Sequence, residues 1–70
     1  MTKFQNEGAR KLKEELYARE DDLCRAAELS REAAELSRAH QPEAAEELTW
    51  IAEVMEGEAG VLRSALDRMA

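Results

Sequence analysis

A single proline in an otherwise uninterrupted run of helix-forming residues constrains this chain more than any other feature. Ala, Glu, Leu, Arg and Lys dominate on both sides of Pro42, which favours long helices, and nothing alternates as a strand would. Gln41 precedes the proline and is pushed out of the α region, whereas Pro42 suits the first turn of a new helix. Ala39-His40-Gln41-Pro42 therefore reads as a break. The pattern predicts a first helix over about residues 3–39, a turn at about 40–42 and a second helix over about 43–69. Thr2 with Gln5 has capping-box spacing, and Asn6 is a second place where the first helix could start. Arg38 falls near the negative end of the first helix dipole, and Glu43, Glu46 and Glu47 near the positive end of the second. So short a connection between long helices implies an all-α, coiled-coil-like antiparallel hairpin forming one domain.

Apolar periodicity assigns faces to these helices. On the second, Ala44, Leu48, Ile51, Met55, Leu62, Leu66 and Met69 share one stripe. Trp50, Val54 and Val61 form a second stripe roughly 80 to 100° away, with Gly57 beside them and Ala65 between the two. The first stripe is expected to form the hairpin's own seam, which leaves the second in need of a partner. The first helix is two-faced as well. Leu12, Leu16 and Leu23 point with Ala27 and Ala34, whereas Leu29 and Leu36 point with Ala33 and Phe4 roughly 120 to 140° away. Ala26-Ala27-Glu28-Leu29-Ser30 recurs as Ala33-Ala34-Glu35-Leu36-Ser37, a seven-residue repeat that lets another helix approach closely.

Size makes association a reasonable expectation. Seventy residues form one small core, which rarely yields more than about 3–5 kcal/mol without a disulfide, a metal or a partner. The one cysteine forms no internal disulfide, and no His, Cys and carboxylate spacing suits zinc, so a reducing cytoplasm is the expected compartment. No signal peptide or membrane span is legible, and a net charge of −6 argues against nucleic acid or an anionic membrane as partner. The acidic run Glu43, Glu46, Glu47, Glu53, Glu56 and Glu58 reads as a solvated face, or as one that steers toward a basic protein.

No constellation supports catalysis. His40 lies at the turn without companions, and Cys24 reads as a small half-buried side chain beside Leu23. Glu14, Glu15, Glu20, Asp21 and Asp22 sit mid-helix among Lys11, Lys13, Arg19 and Arg25, where surface ion pairing accounts for them better than calcium would. Neither a phosphate loop nor a nucleophile–base set is present, so the chain reads as a binding protein without cofactor or metal. Gly57 and Gly60 each cost a helix roughly 1 kcal/mol relative to alanine. With Ser64 they read as a place of close backbone approach, or as a tolerated kink.

Met55-Glu56-Gly57-Glu58-Ala59-Gly60-Val61-Leu62 resembles the Leu-Glu-Gly-x-x-Gly-Ile-Leu stretch of the small E component of type III secretion needle chaperones, the YscE/PscE type. Pro42-Glu43, Leu48 and Ala52 lie in register with it. The resemblance implies a cytoplasmic helical hairpin of a Gram-negative bacterium. It further implies a co-chaperone that binds a larger, TPR-like chaperone, the pair holding the needle subunit soluble until export. The uncovered stripe itself, rather than the resemblance, makes Trp50, Val54, Gly57 and Val61 the expected contacts, with Leu12, Leu16 and Tyr17 as a secondary patch. The rival expectations are a homodimeric four-helix bundle and an antitoxin-like adaptor.

Overall fold

The computed structural model describes the backbone of residues 3–69 and the side chains of residues 7–69. Helix α1 spans Lys3–Ser37 and helix α2 spans Pro42–Arg68, packed antiparallel as an all-α hairpin. The break falls slightly earlier than expected, with Arg38 to Gln41 forming the turn and Pro42 already the first residue of α2. Backbone N–H groups of His40 and Gln41 both donate to the Ser37 carbonyl, at 3.1 and 2.7 Å, closing α1. Gln41 lies outside the α region (φ −140°, ψ 68°), as the following proline favours, and its carbonyl accepts from Ala45 at 3.0 Å to open α2. Arg38 lies in the turn rather than in the last turn of α1 and pairs with Glu35 at 3.2 Å. Helix α1 runs from Lys3 through Asn6 and Gly8 unbroken. The capping contacts of Thr2, Gln5 and Asn6, and the side chain of Phe4, lie outside the described residues.

The molecule measures 58 × 15 × 11 Å, so it is a single helix thick. Four ties set the register: Lys13 to Met69, Tyr17 to Asp67, Glu20 to Arg63 and Arg31 to Glu56. Each step back along α1 is matched by a step forward along α2. That register brings the turn around Ala27 alongside Ala59, and the turn around Ala34 alongside Ala52.

The seam differs from the expected one. Helix α2 buries Ala45, Ala52, Ala59 and Leu66, and α1 buries Glu20, Ala27 and Ala34, in both cases at seven-residue intervals. The stripe Ala44, Leu48, Ile51, Met55, Leu62, Leu66 and Met69 is not the seam. Only Leu66 of that set is buried. Ala44, Leu48, Met55 and Leu62 are half-buried, while Ile51 and Met69 are exposed. Helices approach most closely where side chains are shortest, and closer approach places more backbone and Cβ atoms in van der Waals contact. Heptad-spaced alanines on both helices allow that approach, which rotates the bulky residues roughly 50° off the contact line. The same choice settles the orientation of α1: its Ala27–Ala34 direction faces α2, and Leu29 and Leu36 face out.

Candidate interaction surfaces

Two flanks border this seam, and they differ in chemistry. On one, Glu20 is buried and accepts from Arg63 at 2.8 Å. Arg63 also lies over the Tyr17 ring, 5.4 Å from its centre, and 3.6 Å from Asp67. The Tyr17 hydroxyl donates to Asp67 at 3.1 Å, and the Lys13 ammonium donates to the Met69 carbonyl at 2.8 Å, capping the end of α2. Nearer the turn, Arg31 donates through two nitrogens to the Glu56 carboxylate, a forked pairing. These groups titrate accordingly. The hydrogen bond from Arg31 holds the Glu56 carboxyl below the ordinary carboxylate range, and the Glu20 partner raises Arg63. Desolvation, then the Asp67 hydrogen bond, pushes the Tyr17 hydroxyl up.

A pH dependence follows with a defined sign. A carboxylate whose value is depressed on folding contributes stability that is fully present above its unfolded value and is lost as pH falls through the folded one. The stability difference between wild type and Glu56→Gln should therefore be constant above about pH 5 and shrink below it. Urea unfolding of both proteins at a series of pH values measures this. A difference that does not change down to about pH 3 would show that the pair contributes nothing through charge.

Among the described residues, the opposite flank carries no polar tie between the helices. Leu16, Leu23, Ser30 and Ser37 of α1 border the seam there, facing Leu48, Met55, Leu62 and Met69 of α2. Leu12, Ala26 and Ala33 widen this face on α1, as Ile51 and Ala65 do on α2, with Arg19 and Glu58 interrupting those same rows and Leu29 and Leu36 at the edge. The two inner rows contain no charged residue. The ties between the helices thus lie on one side of the hairpin, and on the other the apolar rows are interrupted at their outer edge by the Arg19–Asp22 pair and by Glu58. Antiparallel pairing produces this segregation because it brings the same flank of each heptad to the same side.

The third surface is the back of α2. Trp50, Val54, Gly57 and Val61 recur every three or four residues and point almost directly away from the seam. Trp50 is 63% exposed and Val61 72%, while Val54 is half-buried among its neighbours. Gly57 and Gly60 meet no other part of the chain, so the hairpin itself does not explain them. Val54, Gly57, Glu58, Val61, Leu62 and Ala65 line a shallow depression, almost wholly apolar in its exposed surface, between this back and the apolar flank. Trp50 lines a separate cleft beside the turn, with Arg38, Pro42, Thr49 and Glu53.

The structure brings Trp50, Val54, Gly57 and Val61 together and divides the secondary patch. Leu12 and Leu16 are exposed on the apolar flank, close to the open end of the hairpin. Tyr17 belongs to the ion-paired flank, occupied by Asp67 and Arg63, because adjacent helical residues point about 100° apart. Cys24, expected to be half-buried, is exposed on that same flank, and His40 is exposed in the turn. Sequence reasoning missed Glu20 as a buried group. Its seven-residue spacing from Ala27 and Ala34 was the available signal.

Among the described residues, no group of three or more His, Cys, Asp and Glu side chains is placed to hold a metal ion, and no helix is long and apolar enough to cross a membrane. Compared with protein families, curated proteins and solved structures, the chain matches none.

Proposed function

We propose that this chain is a binding module, not an enzyme, and that it works as a small co-chaperone in a bacterial cytoplasm. Its partner in this reading is a TPR-like chaperone, which it stabilises. Through that chaperone it helps to keep a type III secretion needle subunit soluble before export. The observation that carries the reading is the stripe on the back of α2, where an exposed tryptophan and two valines flank a glycine whose Cβ position faces open space. The Met55–Leu62 resemblance falls on the same segment. TPR-like repeats present grooves between helices, and an amphipathic helix can lay such a stripe into one of them. Trp50 is the anchor, because a large rigid aromatic dominates the energy of many interfaces. Leu12 and Leu16 supply a secondary contact at the open end.

Variants separate folding from docking. Trp50→Ala and Val54→Asp should abolish co-purification with the chaperone while the hairpin keeps its helicity, since both residues lie on the back of α2 and outside the buried seam. Gly57→Ala should stabilise the hairpin by about 1 kcal/mol, because alanine is the better helix former, yet weaken docking by filling the groove. Wild-type-like capture by Trp50→Ala and Val54→Asp would eliminate this interface. Capture of the chaperone but not of the needle subunit would confine the reading to its first partner.

A further inference from the structure

We infer that a second copy of this chain covers the apolar flank, two hairpins pairing face to face as a four-helix bundle. This goes beyond the docking reading and does not rest on the Trp50 stripe, although the two surfaces share Leu12 and Leu16 on α1 and Leu62 and Ala65 on α2. The area comes first. A folded monomer of this mass exposes about 4,400 Å². The hairpin exposes 5728 Å². The excess is roughly 1,300 Å², and a standard stable interface needs about 800 Å² from each partner. The seam reinforces the point, since among the described residues its buried apolar side chains are five alanines and one leucine. So small a core leaves the hairpin dependent on whatever covers Leu16, Leu23, Leu48, Met55 and Leu62.

The shape and charge of that flank favour an identical copy. Both helices carry their second apolar rows at the same seven-residue spacing as the seam, which is how a bundle helix touches two neighbours at once. The knobs and hollows of such a face have one repeat, so a two-fold-related copy presents the matching repeat. A net charge of −6 would ordinarily oppose self-association, but the two inner rows are uncharged. Glu14, Asp21, Glu28, Glu46 and Glu53 project from the ion-paired side, which the pairing turns outward, together with Trp50 and Gly57.

Sedimentation and thiol labelling of the purified full chain test this. Wild type should sediment at twice the monomer mass and lose helicity on dilution through the dissociation range. Leu23→Asp and Leu62→Asp should shift that range to higher concentration or leave an unfolded monomer. Because those variants can fail simply by unfolding, a gentler probe is S30C in a Cys24→Ser background. Its thiol lies on the apolar flank, whereas native Cys24 lies on the other. S30C labelling should slow roughly tenfold once about nine-tenths of the chain is paired, with Cys24 labelling unchanged. A helical monomer at all concentrations would overturn the inference, as would a dimer that protects Cys24 instead. The two readings fail separately, because Trp50→Ala should lose the chaperone yet still dimerise, and S30C labelling of the purified chain does not report on capture of the chaperone.

Discussion

Ala52→Leu is expected to destabilise the hairpin by about 1–3 kcal/mol, even though it adds apolar surface to the protein. Ala52 is completely buried at the middle of the seam, where the register sets it beside Ala34. A leucine there has no empty volume to enter. The helices must separate, and separation also loosens the neighbouring layers of the seam at Ala45 and Ala59. The same substitution at half-buried Ala44, on the flank, should stay within about 0.5 kcal/mol. Urea unfolding at one fixed protein concentration compares the two, since association would otherwise shift the apparent midpoint. Equal effects at the two positions would mean that helix separation is not set by alanine.

Leu66→Ala is expected to cost about 2–5 kcal/mol, because Leu66 is the one large side chain that is fully buried among the described residues. The value should fall toward the lower end. Leu66 lies in the last turn of α2, where the chain can relax into the space more easily than in mid-helix. Loss of its packing also uncouples the neighbouring polar ties, Tyr17 to Asp67 and Lys13 to the Met69 carbonyl, which hold the open end closed. Amide hydrogen exchange should therefore accelerate first in the last turns of α2 and the facing part of α1, with the turn at Arg38–Gln41 still protected. Leu12→Ala, at an exposed position, serves as the control and should change stability by less than about 0.5 kcal/mol. Uniform acceleration along both helices would indicate that the hairpin opens as one unit rather than from that end.

Both predictions turn on positions that hydrophobicity alone ranks poorly. Reading α2 by bulk placed the seam on Leu48, Ile51, Met55 and Leu62, whereas the helices met on Ala45, Ala52 and Ala59. The error has a physical origin. Burial per residue favours leucine, but contact per helix pair favours whichever face lets two backbones come closest. The heptad-spaced alanines of α1 were legible as a close-approach repeat, and the matching set on α2 was equally present in the sequence. What could not be read from either helix separately was that the two sets would meet. The same mutual choice left more apolar surface uncovered than expected. Two stripes of α2 remain outside the seam rather than one.

The candidate surfaces divide along similar lines. Trp50, Val54, Gly57 and Val61 were recoverable because they belong to one helix, and helical periodicity alone puts them on one side. Leu16 and Tyr17 were wrongly grouped because neighbours in sequence diverge around a helix. The Glu20–Arg63 and Arg31–Glu56 ties join residues far apart in the chain, and only antiparallel register makes them neighbours.

By itself, then, the sequence determined two long helices, the break before Pro42 and the presence of more apolar surface than one seam can bury. Those properties are local, set by backbone preference at proline and by the helical period. Only the tertiary structure decided which faces meet, that Glu20 is buried, and that the ties between the helices gather on one flank while apolar residues are left on the other. Each of those outcomes depends on the rotation of one helix against its partner, and that rotation is a property of the pair.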